Sequence, residues 1–207
     1  MGKPSHHQIE KLLIQVVLPF YHVKRDIPLP RGERRAENDA EHSWSLAFVA
    51  CALAPEIDPG LDVGLVCQFA VVHDLVEVYA GDTAVHGDPA HAATKDVREA
   101  AAAKKLAREF AYLPWITQTL QAYERKDTNE ALFVYALDKY LPVFFDYLDQ
   151  ARLFKERKYS LERYNRELEA HRAKAHRHPA VGKYYDEVRE LLNAHPEYFY
   201  RGAEATP

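Results

Sequence analysis

Cysteine is nearly absent from this chain, and that scarcity narrows the field first. Of 207 residues only Cys51 and Cys67 are cysteines, too few for a Cys-based zinc knuckle or a disulfide framework. Both sit in apolar helical stretches, which reads as buried free thiols in a reducing cytoplasm. Glycine is scarce too, at 8 residues, which argues against a turn-rich all-β protein. There is no basic surplus: 27 Lys and Arg stand against 31 Asp and Glu, for a net charge of -4. That balance gives no electrostatic footprint for wrapping nucleic acid. No apolar run reads as a bilayer span, and the opening MGKPSHHQIEKLL lacks the charged-then-apolar layout of a secretory signal. The expectation is a cytoplasmic protein with neither nucleic acid nor membrane as partner.

What the chain does have is core material, with 47% hydrophobic and 12% aromatic residues. Apolar residues recur at helical spacing throughout, and no stretch alternates as a strand does. Helices are predicted over roughly 8–22, 39–54, 61–80, 89–112, 114–126, 128–150, 160–177 and 180–194. Asp88-Pro89 supplies an N-cap followed by Pro at the first helical position. Asp127 with Glu130 resembles a capping box, and Gly81 is placed to close the helix containing His73 in a left-handed conformation. Residues 24–38 form one irregular, charged segment, and 201–207 a frayed tail. The predicted fold class is all-α, one helical bundle domain over 1–207 with its core at about 10–195.

Certain polar residues stand in segments too apolar for them. The stretch LVCQFAVVHDLVEVYA at 65–80 is apolar on nearly all sides, as a buried helix is, yet His73, Asp74 and Glu77 interrupt it. Burying an unpaired carboxylate costs several kcal/mol. His73 and Glu77 are four apart, and Asp74 is three from Glu77, so all three can share a face. Asp82 follows Gly81, where the chain can turn back. His42 opens the apolar helix AENDAEHSWSLAFVACALA, and Asp138 lies mid-helix in ALFVYALDKYLPVFFDYL, where Asp has poor propensity. Each has a bland alternative: a hydrogen-bonded core histidine with two solvent-facing acids for 65–80, a cap for His42, an ion pair with a neighbouring Lys or Arg for Asp138. Taken jointly, two His and two Asp in apolar helices suit Mn, Fe, Co, Ni, Zn or Mg, with positions left for water and substrate.

The blocks ENDAEHSW at 37–44, FAVVHDLVEVYAGD at 69–82 and NEALFVYALDKY at 129–140, in this order, resemble the HD-domain phosphohydrolases. More narrowly they resemble the small single-domain branch that includes bacterial 5′-deoxynucleotidases and their eukaryotic relatives. The resemblance implies an all-helical HD domain holding one divalent metal ion through His42, His73, Asp74 and Asp138. It implies that Glu77 activates or orients the attacking water and that Asp82 acts near the leaving group. It also implies a basic residue on the substrate phosphate, with Arg25 the nearest match and Lys24, Arg31 and Arg35 as rivals; Arg25 and Arg35 are carried forward. Where deoxynucleotidase members place a bulky aromatic beside that arginine, this chain has Asp26 and Ile27.

The expected activity is therefore metal-dependent hydrolysis of a small phosphate ester, foremost a nucleoside 5′-monophosphate. Rival readings are an HD hydrolase of another phosphate linkage (cyclic nucleotide, nucleoside triphosphate or alarmone) and a non-catalytic metal- or nucleotide-binding module. A homodimer is a further expectation. His171, His176 and His178 read as a solvated basic face, the helix after Pro89 as a surface or packing element, and Trp44 and Trp115 as core aromatics.

Overall fold

In the computed structural model, which describes residues 3–30, 35–84 and 87–202, helices dominate, as the apolar periodicity requires. The chain divides into two compact units, Met1–Asp26 with Glu37–Ala131 and Ile27–Ala36 with Leu132–Pro207.

The first unit begins with α1 (His6–Leu12), whose N-cap Ser5 forms a reciprocal capping box with Gln8. It continues through a π-helical turn (Leu13–Val17) into the short α2 (Leu18–Phe20). Two short strands follow, β1 (Lys24–Pro28) and β2 (Ala36–Asn38), paired as a two-stranded sheet, each with residues in both units. No strand was expected here, because the charged text of 24–38 has no alternation. Asn38 then caps α3 (Asp39–Ile57) in a second capping box, with Glu41 at N3. Next comes α4 (Val63–Val72), capped by Asp62, and α5 (Glu77–Ala80).

Val63–Ala80 averages a hydropathy of 1.5 over 18 residues, so by length and composition it is apolar enough for a bilayer, contrary to expectation. Here the segment is broken at His73–Val76. Beyond it lie α6 (Pro89–Ala93), α7 (Lys95–Glu109) and α8 (Pro114–Arg125). Asp88 caps α6 with Pro89 at its start, as expected. Val16, Val76, Leu106, Phe110, Ile116 and Leu120 form a buried cluster that ties α5, α7 and α8 together. Each side chain so buried contributes about 1.5–3 kcal/mol.

The long α9 (Asn129–Leu148) contributes residues to both units. Thr128 caps it, its hydroxyl accepting the Ala131 N–H at 3.2 Å. Asp127, the expected cap, instead pairs with Arg125 at 3.0 Å. The second unit continues with α10 (Arg152–Glu156), α11 (Leu161–Glu167), α12 (Glu169–Ala175) and α13 (Pro179–Asn193). Gln150 and Ala151 turn the chain ahead of α10 at φ 55° and 47°, with no glycine to announce the turn. Phe154, Tyr164, Leu168, Tyr185, Val188, Leu192 and Phe199 are buried together there. His178 belongs to this interior rather than to a solvated face: it is buried, it packs edge-on against Phe133, and its Nδ1 accepts the Val181 N–H at the start of α13.

Two further expectations are corrected in the first unit. Trp44 is 68% exposed and stacks on Phe48, with ring centroids 5.6 Å apart. Trp115 is also exposed and donates to Gln68 Oε1 at 2.8 Å. Cys51 and Cys67 are free but only half-buried, and they line an open apolar groove of about 580 Å³ with Trp44, Phe48 and Val71.

Candidate metal centre

α3 and α4 pack side by side, and the start of one meets the end of the other at a cluster of polar side chains. His42 stands one turn into α3, where the capping box fixes the backbone. His73 stands at the end of α4, as the helix opens into the turn before α5. Both imidazoles are buried, and their ring centroids are 5.2 Å apart.

Each ring is oriented through its Nδ1. That of His73 lies 2.9 Å from the Ala70 carbonyl, a group that can only accept, so Nδ1 carries the proton. That of His42 lies 3.1 Å from Glu37 Oε1. In the neutral rings, Nε2 is then the unprotonated nitrogen, the one able to act as a ligand. Asp74 Oδ2 is 3.0 Å from Nε2 of His73 and 3.9 Å from Nε2 of His42. An imidazole fixed by an acceptor on its far nitrogen is how proteins orient a metal-ligating histidine.

His42, His73 and Asp74 thus offer ligand atoms within 4.8 Å of one another, and Asp39, Asp74 and Glu77 do the same. The donor set, imidazole nitrogen and carboxylate oxygen with no thiolate, fits a borderline or hard divalent ion.

The charge balance points the same way. Asp39 is fully buried and Glu77 is 3% exposed. Arg25 reaches several of the acids: it contacts Asp74 at 2.7 Å, Asp39 at 3.3 Å and Glu37 at 3.3 Å. Among the described residues Arg25, and Lys95 near Asp82, act on these acids, so the carboxyl groups outnumber the positive charge in a low dielectric. Burial, then Asp74, pushes the Asp39 carboxyl up to about 7, against the lowering pull of Arg25. Burial, then Asp74, Asp39 and Asp82, pushes Glu77 up to about 11. Asp82 is raised as well, chiefly by burial, with Arg25 opposing. Glu77 Oε2 and Asp39 Oδ2 are buried without a hydrogen-bond partner among the described residues. Such a set favours capture of a proton or of a cation.

The remaining candidates fall as follows. Asp82 follows Gly81, which has the expected positive φ of 73° but a ψ of 152°, outside the left-handed helical region and in one that glycine alone adopts readily. Lys24, Arg25, Asp82, Asp88 and His91 line a polar cavity of about 480 Å³ beside the centre. Arg35 lies in the second unit, exposed, donating to the Ala36 carbonyl at 3.2 Å. Arg31 falls outside the described residues. Asp138 also lies in the second unit, on α9, with Lys139 Nζ 2.5 Å from its carboxylate.

Two residues of the centre escaped the sequence reading, Glu37 and Asp39. Both sit in a run of acids at a helix start, where carboxylates are ordinary partners of the helix dipole. The pattern therefore gives them no distinction.

The HD domain family model matches residues 21–179, and the chain belongs to that family. The solved structure of a predicted metal-dependent phosphohydrolase from Magnetospirillum magnetotacticum is similar over 94% of this chain and 95% of its own, with 26% identity and a TM-score of 0.74. A conserved hypothetical protein from Pyrococcus furiosus shares the fold, with 22% identity, 90% and 99% coverage and a TM-score of 0.52. A search of curated proteins finds no significant match.

Proposed function

We propose that this HD-domain protein is a metal-dependent phosphohydrolase, and more narrowly a phosphomonoesterase acting on nucleoside 5′-monophosphates. The observation that carries the reading is the pair of buried imidazoles, each anchored at Nδ1 and each turning Nε2 toward Asp74, within a group of buried acids short of positive charge. The family membership and the similarity to the Magnetospirillum protein support the class. The narrower substrate rests on the resemblance of the three motif blocks to the single-domain branch.

His42, His73 and Asp74 would hold the ion, with Asp138 as the fourth ligand by the family pattern. A bound dication would offset the surplus carboxylate charge, polarise phosphoryl oxygens and acidify a water molecule. The protein's own groups have distinct tasks. Arg25 presents a fork of donors suited to phosphate oxygens, a geometry Lys does not match. Glu77 takes the proton of the attacking water at its carboxylate, and Asp82 delivers one to the departing ester oxygen. The raised carboxyl of Glu77 fits a group that works only with positive charge nearby, because an opposite charge lowers it back toward neutrality.

Phosphate release from a panel of nucleoside monophosphates, using stripped protein with Mn, Co or Mg added back singly, tests this reading. Orthophosphate release with at least one metal is the expected result, and no turnover with any pair refutes it. Release of pyrophosphate or tripolyphosphate from triphosphates instead would favour the other HD linkages. Because Asp26 and Ile27 follow Arg25, ribose and deoxyribose substrates should differ by less than about tenfold in kcat/KM, roughly 1.4 kcal/mol.

A further inference from the structure

We propose that Arg98 is a positioning residue for Asp82, holding the main chain before it and the Thr83 side chain after it. This rests on the reading of Asp82 as a group that acts on substrate. Arg98 stands in the first turn of α7, half-buried, on the same side of the helix as Ala102 and Leu106, which pack into the core one and two turns further on. Its Nη1 donates to the carbonyl of Ala80 and, at 3.4 Å, to that of Gly81. Its Nη2 donates to the Thr83 hydroxyl at 2.6 Å and to the His91 carbonyl at 3.2 Å. One planar group thus binds the residues before Asp82 and the residue after it.

The need for such a clamp follows from the local chain. α5 is a single turn, so its last carbonyls have no helical donors. Gly81 then turns the backbone away at φ 73°, a conformation open to many alternatives because glycine is permissive. Left to itself, the turn would leave Asp82 poorly fixed. Arg98 satisfies the orphan carbonyls and pins the exit, while His91 Nε2, with its proton there, donates to the Asp82 carbonyl at 3.2 Å. The guanidinium touches no reacting group; its effect on chemistry passes through the Asp82 backbone. A lysine cannot span four acceptors in this way.

Hydrogen exchange and kinetics on the full chain separate this role from general support of the fold. In Arg98→Ala, the amides of Ala80 and Gly81, which donate to the Val76 and Glu77 carbonyls, should exchange at least about tenfold faster, while those of α3 and α4 stay within about twofold. Thr83→Val, which removes one acceptor, should shift the same amides less. Hydrolysis of an aryl phosphate monoester should lose roughly 10- to 100-fold in kcat, with KM and metal content little changed. The double variant Arg98→Ala with Asp82→Asn should be no slower than Asp82→Asn alone. Unchanged exchange at Ala80 and Gly81 in both single variants overturns the proposal whatever the activity, as do additive losses in the double variant. If the native protein hydrolyses no ester, the phosphohydrolase reading fails, and the exchange measurement still decides whether Arg98 holds this turn.

Discussion

Asp146 in the second unit and Glu77 in the first are equally hidden, at 3% exposure each, yet their surroundings differ in kind. Asp146 accepts a hydrogen bond from the Tyr164 hydroxyl at 2.8 Å, and burial with that carboxylate beside it holds the phenol well above its usual range. The arrangement is a donor dedicated to an acceptor inside an aromatic cluster. Glu77 shares its region with Asp39, Asp74 and Asp82, and Arg25 opposes the charge of all of them, with Lys95 acting on Asp82 as well. A buried carboxylate with its own donor serves packing. Several that outnumber the cations near them are driven to hold protons, and a dication that replaces those protons relieves the imbalance. Burial alone does not mark a functional acid; an unbalanced set of them does.

The strongest way to break the comparison is to remove the residue at which both imidazoles converge. Asp74→Asn keeps the shape but withdraws the carboxylate that faces His42, His73 and Arg25. Metal content by elemental analysis should fall to background, and kcat by at least about 1,000-fold, about 4 kcal/mol. Retained metal together with retained activity would mean the centre lies elsewhere. Glu77→Gln should act differently, keeping the metal while kcat drops roughly 100- to 1,000-fold, as loss of a proton acceptor does. Loss of the ion along with the rate would move Glu77 from base to ligand.

The sequence made this contrast partly visible. His42, His73, Asp74 and Glu77 stand out because α3 and α4 are apolar on most sides, so any polar residue there needs a reason. Arg25 was reached only through the resemblance, since a charged loop offers several equivalent arginines. Glu37, Asp39 and Arg98 were not legible: an acid at a helix start and an arginine in KDVREAAAAKKLARE are what any solvated helix carries. Their roles arise from tertiary placement, which periodicity does not encode. The same limit explains Trp44. Periodicity identifies α3 as apolar but not which side stays uncovered, and Trp44 lies on the open side. The turn at Gln150 and Ala151 was hidden because neither residue is a usual positive-φ former.

On the other side of the comparison, Tyr164→Phe deletes one donor and little volume. It should cost about 1–3 kcal/mol of stability, as for a buried polar group deprived of a partner, measured by urea denaturation. It should leave kcat of the metal-loaded protein unchanged, because the pair belongs to the second unit's interior. A rate loss without a stability loss would show that the contrast between the two carboxylates is drawn in the wrong place.

The pH dependence of stability gives the smallest effect and the finest discrimination. In metal-free protein the Asp39 and Glu77 carboxyls are raised, to about 7 and about 11, so the folded state binds more protons than the unfolded one above the ordinary carboxylate range. Stability contributed by these groups is therefore present at low pH and is lost as pH rises through the folded values. Melting temperature should fall between pH 5 and pH 8 in chelator-treated protein, by roughly 2–4 °C for each kcal/mol lost in a chain of this size. Saturating Mn should reverse the slope. Ligands must be deprotonated to bind, so the cation stabilises the folded form increasingly as protons leave. Glu77→Gln should flatten the metal-free slope, since its amide does not titrate, whereas Tyr164→Phe should leave that slope as it is. Parallel slopes in native protein and Glu77→Gln would place the titration outside this cluster and remove the charge imbalance as the mark of the centre.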